Sequence, residues 1–295
     1  MKRQTCAEAL FFGHVAGLKR LDAQLLLLHA LGKPAGDRAW LLAHDTDELA
    51  RDVFKLFGKL MQRRAGGEPL AYIVGSEGFF GLELQVDARV LIPRPDTETL
   101  VQWSLDVLLA PAMPPLPRVL DLGTGSGAIA LAIAHTLRAA SREARVVAVD
   151  FSTDALDVAR ENARLLGLDL GFVESCWLEK VTASFHLIAS NPPYVASADP
   201  HLAALAHEPL QALAAGADGL DDIRRIVEQA PAHLLAGGWL LLEHGYDQAG
   251  RVRELLARCG FENVQSRLDL AGIARCSGGQ WPAGPAGRGA SVARR

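Results

Sequence analysis

The stretch VLDLGTGSG, Val119 to Gly127, decides the fold of this 295-residue chain. It runs from an apolar segment typical of a buried strand into a loop with glycine at every second position, and an alanine-rich helical pattern follows. Glycine is needed where a ligand approaches the main chain closely, and the amide groups at the start of a helix favour an anionic group. The stretch therefore predicts a strand–loop–helix unit that binds a small molecule.

Apolar bursts and helical stretches alternate from this unit towards the end of the chain. Seven segments have the composition of strands: 118–122, 145–149, 171–173, 185–189, 239–242, 261–270 and 273–277. This alternation predicts an α/β fold with a doubly wound, mostly parallel seven-stranded sheet. Only Ala271 and Gly272 separate the last two strands, which is too short for a crossover helix, so we expect the last strand to be antiparallel.

The part of the chain before the sheet has a different pattern. Its apolar residues recur at helical spacing and predict a small all-helical domain over residues 1–75. Alternating apolar residues then predict a β-hairpin linker over 76–92. The sheet-bearing domain would span 93–280. The segment 281–295 is rich in Gly, Ala, Arg and Pro, and we expect it to be disordered.

Composition excludes several classes of protein. Hydrophobic residues make up 49% and charged residues 22%, which is typical of a globular protein. The formal net charge of −4 disfavours a protein that binds mainly by neutralising nucleic-acid phosphates. No apolar run approaches the roughly 18 residues that a membrane span needs. The four cysteines lie far apart and predict neither a zinc site nor disulfides. We therefore expect a cytoplasmic protein with no metal and no membrane or nucleic-acid partner.

Two carboxylates accompany the glycine loop. Asp121 stands two residues before the first glycine, where it would repel the pyrophosphate of NAD and attract a ligand with an amino group and a sulfonium cation. Asp150 ends the next strand, roughly 20 residues beyond the loop, where an acid accepts the hydroxyl protons of a ribose. Together they predict a nucleoside-containing cofactor. A glycine turn without a ligand, and an Asp150 that only caps the next helix, are the alternatives.

The tetrad Asn191-Pro192-Pro193-Tyr194 follows a further apolar strand. Two successive prolines lack N–H donors, so no turn hydrogen bond needs to occupy the Pro192 carbonyl. The side chain of Asn191 adds a second acceptor oxygen. Two acceptors that converge on one NH₂ group, with the Tyr194 ring against its face, predict a site that orients an amide or amino nitrogen. The alternative is a plain proline turn with a buried tyrosine.

The order of these motifs resembles the class I S-adenosylmethionine-dependent methyltransferases that act on planar nitrogen. Within that class, the helical N-terminal domain and three segments are similar to the release factor glutamine methyltransferase family, called HemK or PrmC. The three segments are LIPRPDTE at 91–98, LLEHG at 241–245 and DLAGI at 269–273. The resemblance runs from about Leu21 to Gln280. Adenine methyltransferases share Asn-Pro-Pro-Tyr but not the stretch from Pro93, which therefore separates the two groups.

The resemblance implies transfer of a methyl group from S-adenosylmethionine to the side-chain amide nitrogen of the glutamine in the Gly-Gly-Gln motif of peptide chain release factors. We also expect the N-terminal domain to recognise the substrate, because a folded release factor can use remote contacts to position its reacting loop. The alternative is that this domain only stabilises the catalytic domain. The implied cofactor-binding residues are Asp121, Leu122, Gly123, Thr124, Gly125, Asp150, Trp177 and Asn191. The implied substrate-binding residues are Asn191, Pro192, Pro193 and Tyr194, and of these Asn191, Pro192 and Tyr194 would act in catalysis.

Two positions depart from the family pattern. Cys176 precedes Trp177 where family members commonly have an aspartate for the adenine amino group, and a thiol is a weaker acceptor. Glu208-Pro209 lacks the arginine that often comes shortly before it. The chain also carries its own Gly278-Gly279-Gln280, which we interpret as a coincidence with the substrate motif.

Two other functions remain open from the sequence. An adenine amino methyltransferase acting on DNA or RNA would use the same tetrad, but such enzymes usually have a basic groove and this chain is mildly acidic. A cofactor-binding scaffold without catalysis is the second alternative. The intact tetrad disfavours the scaffold, whereas Cys176 is compatible with it.

Overall fold

The computed structural model describes residues 4–283, and the chain divides into two compact units, Met1–Ser76 and Glu77–Arg295. From residue 4 onwards, the first unit contains five helices: α1 Cys6–Val15, α2 Arg20–Ala30, α3 Arg38–Ala43, α4 Arg51–Ala65 and α5 Leu70–Val74. Across residues 4–283, no helix combines the length and the apolar character that crossing a membrane requires.

The helices of the first unit follow from local sequence signals and enclose an apolar core. Thr5 and Glu8 form a capping box at the start of α1, in which each side chain accepts from the other's backbone N–H. Helix α5 ends at Gly75, whose φ of +83° is one that glycine adopts without strain. Leu27 of α2 and Phe57 of α4 are fully buried, and they belong to one apolar cluster that also contains residues of the other helices of this unit. The unit therefore has a core of its own.

The second unit contains nine strands and five helices among its described residues. In chain order they are β1 Ser76–Phe79, which begins at the last residue of the first unit, β2 Leu82–Gln85, α6 Glu98–Leu108, β3 Arg118–Leu122, α7 Ala128–Ala139, β4 Arg145–Asp150, α8 Thr153–Leu166, β5 Gly171–Glu174, β6 Phe185–Ser190, α9 Asp221–Gln229, β7 Leu234–Glu243, α10 Ala249–Arg258, β8 Glu262–Leu268 and β9 Ala274–Gln280.

Seven of these strands form one sheet in the order β5-β4-β3-β6-β7-β9-β8. The pairs from β5 to β7 are parallel, and β9 runs antiparallel to both β7 and β8. The structure thus confirms the predicted doubly wound, mostly parallel seven-stranded sheet with an antiparallel last strand.

Both faces of the sheet are covered, as a parallel sheet requires. Successive side chains of a strand point to opposite faces, and in β3 the buried Val119 and Leu120 belong to two different apolar clusters. The Val119 cluster includes residues of α6 and α7, and the Leu120 cluster includes residues of α9 and α10. Because helices occupy both faces, the loops at the carboxyl ends of the strands are left to form a site.

The hairpin is shorter than the predicted span 76–92. Its strands β1 and β2 end at Gln85, and no strand follows before Ile92. Asp87 interrupts the pattern, because its carboxylate accepts from the backbone N–H of Arg89 and so forms a local turn. Gln85 is held in place by buried Asn162, whose side chain bonds to both its N–H and its carbonyl.

The segment predicted to be disordered, 281–295, begins with an ordered residue. Trp281 donates its N–H to the carbonyl of Gly238 and accepts from the N–H of Gly237, which extends the β7–β9 pairing by one residue. Its ring packs edge-on against Phe261 at 5.4 Å between centroids. The prediction was wrong for Trp281, because only the folded sheet offers these partners. Residues 284–295 lie outside the described part of the chain.

Candidate active site

Strands β3, β4 and β6 are neighbours in the sheet, so the residues that follow them meet at one edge. A cavity of about 290 Å³ opens there, and a recess of about 50 Å³ adjoins it at the glycine loop and Asn191. Of the residues predicted for the site, those on the walls of the cavity or the recess are Gly123, Thr124, Gly125, Asp150, Trp177, Asn191 and Pro193. The remaining four, Asp121, Leu122, Pro192 and Tyr194, are not among the described residues on those walls.

The glycine loop has a backbone geometry that favours glycine. Gly123, Gly125 and Gly127 have φ values of +69°, +54° and +86°, which side chains rarely adopt. A Cβ at Gly127 would also lie 2.9 Å from the Leu131 side chain, so close packing requires this glycine. The first two glycines line the cavity and leave their backbone accessible to a ligand.

Asp121 lies beneath the loop and is fully buried. Its Oδ2 accepts from the Thr124 hydroxyl at 2.6 Å and from the N–H of Ala130 at 3.1 Å, which ties the loop to α7. No described residue donates to its Oδ1. Burial raises the pKa of this carboxyl to about 7, against the opposing effect of the Thr124 bond. Asp121 therefore fixes the position of the loop through these two hydrogen bonds.

Asp150 is on the cavity wall at the end of β4. Its Oδ2 accepts from the N–H of Gly125 and its Oδ1 from the N–H of Ser152, both at 2.9 Å. Each oxygen keeps lone-pair capacity for a second donor. The side chain that caps α8 is Ser152, which accepts from the N–H of Ala155. The carboxylate of Asp150 is thus oriented by the backbone and available to a diol, while burial raises its pKa.

Trp177 and Asp222 form a pair at the cavity wall that the sequence did not predict. The indole N–H of Trp177 donates to Oδ1 of Asp222 at 3.0 Å, and Asp222 also lines the cavity. The ring lies over Gly123, where a Cβ would be 3.4 Å from it. Cys176 lies on the same wall. Asp222 is in α9, 45 residues further along the chain, so no local motif links it to the tryptophan.

The tetrad turns away from the end of β6, with Asn191 and Pro193 on the cavity wall and Pro192 buried. Nδ2 of Asn191 donates to the hydroxyl of Thr97 at 3.1 Å. The Tyr194 hydroxyl is 3.4 Å from Oε1 of Glu243, and burial raises the pKa of this phenol. Asn191 thus reaches the cavity, whereas Tyr194 contacts a buried acid.

Three residues that hold the site were not predicted individually: Thr97, Glu208 and Glu243. Glu208 pairs with Arg94 and accepts from the N–H of Ile92, so it ties the Glu-Pro segment to the LIPRPDTE segment. Thr97 and Glu243 lie within two of the three segments that carried the family resemblance. That resemblance was the signal that could have identified Thr97 and Glu243, because neither residue has a local pattern that indicates a role.

The chain's own Gly278-Gly279-Gln280 lies in β9. The side chain of Gln280 donates to the carbonyl of Gly237 at 2.8 Å and accepts from Asn263 at 2.9 Å. A Cβ at Gly278 would be 2.5 Å from the Leu241 side chain. These glycines and the glutamine therefore serve the packing of the sheet.

Two known families match parts of this chain. The PrmC N-terminal domain family matches residues 7–75, and the methyltransferase small domain family matches residues 106–216. Two solved structures share the fold. The catalytic domain of hMettl16 in complex with MAT2A 3′UTR hairpin 6 has a TM-score of 0.55 and 18% identity, over 77% of this chain and 83% of that one. A methyltransferase from Pyrococcus furiosus has a TM-score of 0.50 and 16% identity, over 69% and 90%. Identities this low show the fold alone, which is that of class I methyltransferases.

Closer relatives are similar over nearly the whole chain. The release factor glutamine methyltransferase of Burkholderia pseudomallei is 47% identical over 94% of this chain and 96% of its own length. The corresponding proteins of Bordetella pertussis and Pseudomonas aeruginosa are each 47% identical over 89% of this chain, and over 95% and 92% of their own lengths. By this identity and coverage, the chain belongs to the release factor glutamine methyltransferase family.

Proposed function

We propose that this protein transfers a methyl group from S-adenosylmethionine to the side-chain amide nitrogen of the glutamine in the Gly-Gly-Gln motif of peptide chain release factors. The observation that carries the proposal is 47% identity over 94% of the chain to a relative named for that activity. The position of Asn191 on the cavity wall agrees with it, because an amide oxygen there can accept from a substrate NH₂ group.

The cavity fits the cofactor. The carboxylate of Asp150 is oriented to accept from the ribose hydroxyls, and the indole of Trp177 offers an apolar wall for the adenine. Oδ1 of Asp121, to which no described residue donates, would attract a sulfonium and an amino group, and these cations in turn would favour the ionised carboxylate. Bound there, S-adenosylmethionine would supply a methyl group attached to a sulfonium. The rest of the cofactor is a good leaving group because it departs as a neutral thioether.

The tetrad's task is to orient a weak nucleophile. An amide nitrogen reacts slowly because its lone pair is delocalised into the carbonyl. We assign Oδ1 of Asn191 and the carbonyl of Pro192 to accept the two N–H bonds of the glutamine, with Tyr194 beside them. These acceptors stabilise positive charge as it develops on the nitrogen. The N–H proton becomes acidic only after the methyl group has bonded and then leaves to solvent, so no strong base is needed before attack.

We assign recognition of the release factor to the helical unit, and we propose that the reaction takes place in the cytoplasm. Helix α1 of this unit exposes three large apolar side chains, Phe11, Phe12 and Val15, with Phe11 63% exposed. Apolar side chains grouped on one helix are typical of surfaces that bind another protein.

Mass spectrometry of a purified release factor tests this function. After incubation with the protein and S-adenosylmethionine, we expect a single added methyl group on the glutamine of Gly-Gly-Gln. A release factor with alanine at that glutamine is the control and should remain unmodified. Modification of adenine in added DNA or RNA, with an unmodified release factor, would contradict the proposal.

Replacing Asp150 by alanine should weaken cofactor binding. A hydrogen bond to a charged group is worth about 1.5–3 kcal/mol, which corresponds to a roughly tenfold or greater rise in the dissociation constant. Calorimetric titration with S-adenosylmethionine measures it. Asp154→Ala is a matched control, because Asp154 is an exposed carboxylate in the first turn of α8. Equal affinities of the two variants would refute the ribose assignment.

A further inference from the structure

Two carboxylates line the cavity among the residues that the structure describes, Asp150 and Asp222. Backbone N–H groups bind both oxygens of Asp150, which we assigned to the ribose. Asp222 lies in the first turn of α9, and its Oδ1 accepts from the indole N–H of Trp177 at 3.0 Å. Its Oδ2 receives no hydrogen bond from the described residues. The cavity therefore holds a second carboxylate with an oxygen that has no assigned partner.

The indole of Trp177 is fixed at both of its ends. At one end, Cζ3 of the benzo ring would be 3.4 Å from a Cβ at Gly123, and at the opposite end Nε1 donates to Asp222. The backbone of Trp177 has a φ of +50°, a left-handed conformation that residues other than glycine rarely adopt. Such strain persists where the surroundings impose it, and it is concentrated at functional sites. Asp222 is therefore next to the indole, on the side away from the glycine loop.

The neighbouring residues leave Asp222 as the strongest acceptor beside the indole. Arg225 follows it on α9 and also lines the cavity, but its guanidinium pairs with Glu179. Cys176 lies on the same wall, and a thiol is a weak acceptor. An ionised carboxylate accepts through both oxygens, so Oδ2 of Asp222 can bind a donor while Oδ1 holds Trp177.

We propose that Oδ2 of Asp222 accepts a hydrogen bond from the exocyclic amino group of adenine and so makes the cavity specific for a 6-aminopurine nucleoside. This inference rests on the proposed function, because it concerns the cofactor of that reaction and the adenine wall assigned to Trp177. The amino group is the donor that separates adenine from purines without one. A base that lacks it would leave the carboxylate oxygen without a partner and lose that hydrogen bond. Asp222 would thus select the base without contacting the methyl group that is transferred.

Calorimetric titration with two ligands tests this assignment. One is S-adenosylhomocysteine, and the other is its analogue with hydrogen in place of the amino group on the purine. The wild type should bind the first roughly tenfold or more tightly than the second, as expected for one hydrogen bond to a charged group. Asp222→Asn keeps an acceptor for the indole N–H but presents an NH₂ group to the base, so the two dissociation constants should become similar. Burial raises the pKa of Asp222, so the titrations use a mildly alkaline pH, which favours the charged form.

The ratio of the two dissociation constants separates recognition of the base from support of the fold, because a distorted cavity weakens both ligands alike. Asp221→Asn is the matched control, since Asp221 is the exposed neighbour that pairs with Arg224. This variant should keep the wild-type ratio. Cys176→Ala should keep it as well, because the thiol has no part in the proposed contact.

Two results would overturn the inference: a wild type with equal affinity for the two ligands, or an Asp222→Asn variant that keeps the wild-type ratio. Neither result depends on methyl transfer. A wild type that shows the expected preference but leaves release factors unmethylated would reject the proposed function alone. The binding ratio would then still support the role of Asp222.

Discussion

Asn191→Ala should lower the rate of methyl transfer at least ~100-fold, comparable with removal of one positioned donor from an oxyanion site. Its Oδ1 is the proposed acceptor for the substrate NH₂ group, and alanine has no polar atom to replace it. Cofactor affinity should remain largely intact, because Asp150 and Trp177 line the cavity independently of this side chain. Single-turnover kinetics at saturating cofactor measure the rate, and calorimetric titration measures the affinity.

A matched control comes from the same cavity. Gln211 also lines it but has no assigned contact with either substrate, so Gln211→Ala should change the rate little. If Asn191→Ala kept more than half of the wild-type rate, Asn191 would not be the acceptor for the substrate nitrogen. A parallel loss of cofactor affinity in Asn191→Ala would assign the residue to the cofactor instead.

A chain that begins at Gly75 should lose activity on an intact release factor by on the order of 100-fold in kcat/KM, since small errors in positioning cost about that much. A short peptide offers too little surface to place one amide selectively, whereas a folded release factor can use remote contacts. The truncated chain should therefore retain any activity that the full chain has on a Gly-Gly-Gln peptide. Parallel assays on the protein and peptide substrates, with cofactor binding as the check of folding, measure this difference.

A milder change separates recognition from support of the fold. Phe11→Ser with Val15→Ser removes two exposed apolar side chains of α1, at 63% and 67% exposure, without touching the core of the helical unit. The double variant should bind cofactor normally and show a higher KM for the release factor alone. If the truncated chain instead lost the same fraction of its activity on the protein and on the peptide, the helical unit would only support the catalytic fold.

Much of the second unit could be predicted because its signals are local. The stretch from Val119 to Gly127 predicts a buried strand, a glycine loop and a helix start within nine consecutive residues, and all three occur. Likewise, the two residues Ala271 and Gly272 were sufficient to predict an antiparallel last strand. The hairpin was overestimated because alternation continues past Gln85, where a turn at Asp87 ends the pairing.

By itself, the sequence determined the sheet, the glycine loop and the positions of Asp150 and Asn191 at strand ends. In each case, neighbouring residues dictate the local backbone. Only the tertiary structure decided which partners these side chains acquire. Thr97 is 94 residues from Asn191 along the chain, and Glu243 is 49 residues from Tyr194. Such contacts depend on how helices and strands pack across the sheet. The partners of these side chains are therefore set by residues that are distant along the chain, which no local pattern encodes.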